Sequence, residues 1–468
     1  MANQKGEKKG LNISAKSFIL AIIIIFALMV LTYILTFIVP GGEYARIIDD
    51  SGRTVIDTAA GFKYVQGGIP FWKWILSPFL VLAGDDNITI IAVIAFLLII
   101  GGVFGALNAC GLLNYMLDKI IHKFGHVRYK LMAILVFFLM AMGSLVGTFE
   151  EVVPLVPIVT ALAVGLGWDL VTGLGMSILA VGCGFASGVS NPFTVGVAQS
   201  LSGLPMFSGI WLRIVSFILI YALLMAFLIL HAKRVEKPVE NFESSAFVEN
   251  PKMNKGFITF FIFVGIGIVA VLSSAFIKVI QDYTMFIIAG MFLIGGIVAT
   301  LMVGSGGKKL GKWFLDGIIS IAPSIIMILM ASSIKYILVE SKILDTLLHS
   351  AVGASSTMPK AALILFIYLI CLIMNFFIPS GSAKAFLLIP LIIPLAQVFG
   401  LSPQLCIVAY AFGDGFSNIF YPTNPALLIS LSLADVGYGK WVKYSWKFQA
   451  INLVLTAAIL LFGLVVGY

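Results

Sequence analysis

Residues 157–169 read PIVTALAVGLGWD, and residues 390–402 read PLIIPLAQVFGLS. Each stretch opens on proline and carries glycine ten positions later, Gly167 in one and Gly400 in the other. The offset between them, 390 − 157 = 233, also relates Asn191 of SNP to Asn424 of TNP, and Gly182 to Gly415. An ungapped match over this length marks a duplicated unit.

Composition says what medium the unit is built for. Of the 468 residues, 60% are hydrophobic and only 11% charged, and the mean hydropathy is +1.10. Apolar runs of about 20 residues, enough to cross ~30 Å of hydrocarbon, recur along the whole chain. These features predict an all-α polytopic membrane protein in a lipid bilayer. The net charge of +8 is no nucleic-acid footprint, because Lys and Arg concentrate in short loops at 5–16, 119–130, 233–255, 308–312 and 440–447. That positive-inside pattern places the N-terminus and these loops in the cytoplasm of a bacterial inner membrane. The first apolar run is longer than a signal peptide's and lacks a small-residue cleavage site, so it reads as a retained helix. Outside lies 41–86, with a small hairpin in EYARIIDDSGRTVIDTAAGFKYV and an interfacial segment in PFWKWILSPF. The four cysteines have no metal-ligand spacing and read as buried thiols.

Counting spans between the basic loops divides the chain into four parts. An N-terminal helix and external hairpin occupy 1–86, a first repeat 87–232, a linker with connecting helices 233–317, and a second repeat 318–468. The first repeat begins outside and the second inside, so the two are inverted. Inverted repeats with interrupted hydrophobic segments at matching positions are the sequence signature of a secondary transporter, whose substrate binds at the breaks.

Each repeat has two kinds of break. The first is a re-entrant hairpin, at 131–166 turning in SLVGTFEE and at 361–399 turning in IPSGSAK, with arms read as too short to span. Thr148, Glu150 and Glu151 then sit on one tip, opposite Ser380, Gly381, Ser382 and Lys384 on the other. The second is a broken helix, 170–201 interrupted at Ser190, Asn191, Pro192 and Thr194, and 403–433 interrupted at Thr423 and Asn424, after Asp414 and Asn418. Proline removes a backbone donor and disfavours helix at the preceding residue, so both asparagines fall where the helix unwinds. Freed carbonyls and asparagine side chains there are suited to Na⁺ or to a substrate's polar groups.

Structural readings stand beside these. Glu150 and Glu151 read either as substrate or coupling-ion carboxylates, or as a tip acid bonded to Lys384 plus an acid favoured by a helix N-terminus. Lys384 either neutralises a glutamate or binds a substrate carboxylate. Asp414 is a proton or cation site, or an acid satisfying unwound amides. The proline breaks could be plain kinks. Asn375 and Gln199 read as interhelical glue, and Arg213 as a snorkelling residue at a span's outer end.

GTFEE at 147–151, GFASGVSNPFTVGVAQSLSGLPMFSG at 184–209, IPSGSAKA at 378–385 and AYAFGDGFSNIFYPTNP at 409–425 resemble the YfcC family. That family belongs with the DcuC-like C4-dicarboxylate anaerobic carriers of the ion transporter superfamily. The resemblance runs over nearly the whole chain and includes FIVPGGEYAR at 37–46. It implies a basic amino acid antiporter, of arginine and ornithine for example, working as a homodimer whose transport part moves elevator-fashion against a scaffold part.

The charge count agrees, since an amino acid needs acceptors for its ammonium and donors for its carboxylate, and a cationic one needs an excess of acid. The runner-up is a Na⁺- or H⁺-coupled transporter of C4-dicarboxylates or short-chain carboxylates. A channel would need no paired hairpins. An enzyme would need a nucleophile or metal set, yet His122, His126, His231 and His349 lie at span ends without HExxH or GxSxG, and GSGGKKLGKW at 304–313 is no P-loop. No cofactor is expected beyond coupling Na⁺ or H⁺.

Overall fold

Backbone N–H and C=O groups find no water in hydrocarbon, so a chain this apolar is driven into helices that pair their own groups. The computed structural model describes residues 15–48, 54–56, 61–84, 87–205, 207–237, 249–273, 278–354 and 358–468. Among them, eight helices are long and apolar enough to cross a bilayer, from Ile90–Ala109 to Tyr438–Val465. The protein is therefore an all-α polytopic membrane protein. The first basic cluster around Lys5, Lys8 and Lys9, and much of the linker at 238–248, lie outside the described residues.

After the first helix, Ala15–Ile38, the chain forms antiparallel ribbons, Gly42–Tyr44 with Phe62–Tyr64 and Arg46–Ile48 with Thr54–Ile56. Arg46 grips both carboxylate oxygens of Asp345 at 3.0 and 2.9 Å, and the Tyr44 N–H donates to the same group at 2.9 Å. Helix Phe71–Leu80 buries Trp74, whose Nε1 donates to the Met29 carbonyl, and leaves Phe71, Trp72 and Phe79 exposed. An apolar rim on a short amphipathic helix is what an interfacial segment presents to lipid.

Two of the basic loops, 119–130 and 233–255, meet each other. Lys119 pairs with Glu249 at 2.9 Å, Arg128 pairs with Glu236 at 2.9 Å, and the Lys237 N–H donates to the Gly167 carbonyl.

Two helix hairpins form the middle of the molecule. One runs through Arg128–Leu145, a 3₁₀ stretch at Glu150–Leu155 and helix Val156–Gly165; the other through Lys360–Phe377 and Gly381–Val398. Three of these four arms are longer than expected. Helices of 18 residues reach about 27 Å at 1.5 Å per residue, and both arms of the second hairpin qualify as spans by length and composition. The second turn is tight because helix resumes at Gly381, taking in Ser382 and Lys384, and Pro390 and Pro394 are tolerated inside it.

Beside each hairpin lies an interrupted helix. The first comprises Leu170–Leu174, a π turn at Gly175–Leu179, Ala180–Ser187, a second π turn at Pro192–Gly196 and Val197–Leu201. The second comprises Pro403–Asn418 and Pro425–Leu433. They cross at their glycines: a Cβ on Gly182 would lie 2.2 Å from Ile419 Cγ2, and one on Gly415 would lie 2.3 Å from Ala186 Cα. Because 415 − 182 and 419 − 186 both equal 233, this is one contact read from each half. Any larger residue would part the helices.

Arg213 does not snorkel. It is fully buried, and its guanidinium donates to the carbonyls of Val189, Phe207 and Ser208 at 3.0–3.2 Å. Backbone oxygens left open near the first break draw the cation inward. Cys183, Cys371 and Cys406 are buried free thiols.

Candidate functional site

The two hairpin tips meet at a cavity of about 700 Å³. Glu150, Glu151, Ser380, Gly381, Ser382, Asn418, Thr423 and Asn424 line it, whereas Thr148, Ser190, Asn191, Pro192, Thr194, Lys384 and Asp414 do not. The lining also includes Phe149, Phe193 and, from helix Pro323–Glu340, Ser332, Lys335, Tyr336 and Glu340.

The first tip is held by its own broken helix. Gly147 has φ +79°, and a Cβ there would fall 2.3 Å from Asn191 Oδ1, so glycine alone fits. Ser190 donates through its N–H and its hydroxyl to the carbonyls of Ser144 and Leu145, and the Val189 N–H donates to Ser144 Oγ. These bonds fix where Glu150 and Glu151 emerge. The Phe149 N–H donates to Glu151 Oε2 at 3.1 Å, and both acids are half-buried at the cavity wall.

The second tip is held differently. Lys384 Nζ, on the first turn of Gly381–Val398, donates to Asp414 Oδ1 and to Asn375 Oδ1, each at 2.5 Å. Lys384 and Asp414 are both completely buried. Asn375 in turn donates to the Asp414 carbonyl, Ser417 Oγ and Asn418 Oδ1 at 2.8–3.1 Å. The expected bond from Lys384 to a tip glutamate gives way to an aspartate: Asp414 lies directly beneath the tip, while the glutamates face the cavity.

Both asparagines of the breaks are helix caps. Asn191 Oδ1 accepts from the N–H groups of Phe193 and Thr194, and Asn424 Oδ1 accepts from that of Leu427 at 3.1 Å. Capping satisfies donors that the restarted helix leaves orphaned. Asn424 Nδ2 donates to Asn418 Oδ1 at 2.9 Å, joining this cap to the Asn375 network. Gln199 bonds Ser208 and Gln404, and Asn375 joins three elements, so both are glue between segments. The hydroxyls of Thr148, Thr194 and Thr423 and the Oδ2 of Asp414 are buried without a hydrogen-bond partner among the described residues.

Sequence reasoning missed Lys335. An ionisable residue inside the apolar run SIIMILMASSIKYIL was the available signal, since charges within spans are costly and face cavities or partners. It also missed Glu340, which forms an ion pair with Lys73. Chemically, the cavity offers two carboxylates on one tip, an ammonium on a neighbouring helix, and neutral hydroxyls with helix-start amides on the other tip.

Known proteins bear on this arrangement. The family model described as the C4-dicarboxylate anaerobic carrier, DcuC, matches residues 18–465. An Escherichia coli (strain K12) protein named "Putative basic amino acid antiporter YfcC" is 28% identical, with 96% of each chain covered. An uncharacterised Haemophilus influenzae protein is 22% identical, covering 91% of this chain and 92% of its own. Among solved structures, the YdaH transporter of Alcanivorax borkumensis aligns over 97% of this chain and 99% of its own at 19% identity, with a TM-score of 0.43 too low to carry an argument. With the family model matching from the first helix to the last, the chain belongs to the C4-dicarboxylate anaerobic carrier family of membrane transporters.

Proposed function

We propose that the protein is a basic amino acid antiporter, exchanging solutes such as arginine and ornithine across a bacterial inner membrane. The observation that carries this reading is the charge of the cavity. Glu150 and Glu151 face it together with Lys335, and Glu340 is engaged by Lys73. Two acids against one base leave an excess negative charge, the complement of a solute with two cationic groups and one carboxylate. Lys335 takes the substrate carboxylate, since Lys384 is buried on Asp414; the glutamates take the ammonium and the guanidinium or second amine. Thr423, whose hydroxyl has no partner among the described residues, and Ser380 and Ser382 complete the polar wall. A C4-dicarboxylate would bring two negative charges toward the glutamates.

The name of the Escherichia coli relative agrees with this reading. Alternating access by inverted repeats is supported by the reciprocal Gly182–Ile419 and Gly415–Ala186 contacts, which a pseudo-twofold axis produces. Each tip is bonded to its own broken helix, so the site can travel as one body within a homodimer, as elevator transport requires. The meeting of the basic loops 119–130 and 233–255 supports a cytoplasmic side, to which the positive-inside pattern also assigns the N-terminus.

Uptake of labelled arginine, ornithine, a neutral amino acid and succinate into proteoliposomes, with and without internal counter-substrate, tests the proposal. Arginine or ornithine uptake that requires internal amino acid is expected. Succinate uptake in its place would give the cavity to dicarboxylates and overturn the reading.

A further inference from the structure

Asp414 sits in a completely buried position, and a lone carboxylate there would need a cation. Lys384 supplies one that is covalently tethered. Its ammonium lies 2.5 Å from each of two oxygens, Asp414 Oδ1 and Asn375 Oδ1, an all-oxygen setting of the kind a hard cation takes. The face of Tyr410 lies 5.7 Å from Nζ. Two further oxygens nearby are unsatisfied: Asp414 Oδ2 and Thr194 Oγ1 are buried without a partner among the described residues. Both side chains press on Gly381, where a Cβ would lie 3.0 Å from Asp414 Oδ2 and 2.8 Å from Thr194 Cγ2. Lys384 thus bonds two oxygens, from the second hairpin and the second broken helix, and Thr194 of the first broken helix meets Asp414 across Gly381.

We propose that the Lys384 ammonium stands in the place of a coupling Na⁺ beside Asp414, so that this site works without Na⁺, and that removing the lysine charge opens a Na⁺ site formed by Asp414, Asn375 and Thr194. The tether has a functional consequence that rests on the exchange reading above. A Na⁺ ion binds and leaves with each cycle and links transport to its gradient; a lysine never leaves. The site then stays neutral whether loaded or empty, and net movement is driven by the counter-substrate alone.

Thermal unfolding of the detergent-solubilised full chain in NaCl, KCl and choline chloride at equal ionic strength tests this without any substrate, so it can fail independently of the antiport reading. The quantity read is the midpoint shift specific to Na⁺ in wild type, Lys384→Gln and the uncharged double variant Lys384→Gln/Asp414→Asn. Wild type and the double variant should respond alike, and Lys384→Gln should exceed both by a few degrees as Na⁺ saturates the exposed oxygens. A wild-type response larger than that of the double variant would mean that Na⁺ binds at Asp414 with Lys384 in place, and would overturn the proposal. So would a folded Lys384→Gln that responds no more than wild type. Should Lys384→Gln not fold, the comparison of wild type with the double variant still decides whether Na⁺ binds beside Asp414 with Lys384 in place, and Lys384→Met then reads the opened site.

Discussion

The two hairpin tips differ in where they put charge. At the 233-residue offset Glu151 falls on Lys384, since 384 − 151 = 233. In the first half the charged group faces the cavity; in the second it is completely buried. The surroundings explain the difference, because the positions equivalent to Asp414 and Asn375 are Val181 and Met142. A carboxylate turned toward Val181 and Met142 would be unpaired in an apolar setting, so it faces solvent space, whereas Lys384 meets an acid and an amide and goes inward. One position of the repeat faces the cavity in one half and locks tip to helix in the other.

That division can be broken most severely at the lock. In the absence of Na⁺, Lys384→Gln leaves Asp414 buried and unpaired, which should cost about 3–5 kcal/mol, while Lys384→Gln/Asp414→Asn should recover most of it. Denaturation of the purified variants checks this, and a double variant as weak as the single one would deny the pair its role.

Next comes the tip of the first half. Gly147→Ala forces a side chain into a left-handed conformation and onto Asn191, so a loss of about 1–3 kcal/mol and weakened transport are expected. Full activity in this variant would detach the tip from the break.

Asn191→Ala and Asn424→Ala sharpen the comparison further. Each loses a cap worth about 1 kcal/mol, and substrate affinity should drop more at Asn424, which lines the cavity, than at Asn191, which does not. Binding titrations of the two variants that give equal losses would make the breaks equivalent.

The last difference lies at the start of the first broken helix. Asp169 caps it, while its counterpart Ser402 caps the second without a side-chain hydrogen bond. Burial works against the Asp169 charge, but hydrogen bonds from His231 and Thr172 outweigh it and bring the pKa down to about 2. An unfolded aspartate titrates near about 3.9. The stabilisation is therefore complete above about pH 4 and is lost as the pH falls toward about 2. Wild type should lose stability relative to Asp169→Asn across that window, and parallel acid profiles would remove the cap from the account.

Much of the fold was legible because it rests on patterns that cannot be hidden. Apolar runs of spanning length declare helices in lipid, and Pro192 and Pro425 mark where broken helices restart. What escaped was decided by tertiary partners. Arg213 reads as a surface cation until the carbonyls of Val189, Phe207 and Ser208 are seen around it. Lys384 reads as a tip residue until Asp414, thirty positions later, is found beneath it. Lys335 sits in helix Pro323–Glu340, outside the two hairpins and broken helices, so no break in the sequence marks it. The second arm of the second hairpin outgrew its expected start because Ser380 caps a helix that resumes at Gly381, directly after the turn.

The central claim is that Glu150 and Glu151 read the positive charge of the solute. The most direct test is counterflow of labelled arginine and of its uncharged analogue citrulline in proteoliposomes, comparing wild type with Glu150→Gln/Glu151→Gln. Wild type should prefer arginine by about 100-fold in kcat/KM, from charge pairs worth about 2–5 kcal/mol, and the variant should lose that preference while remaining folded. An unchanged ratio of the two solutes would contradict the account.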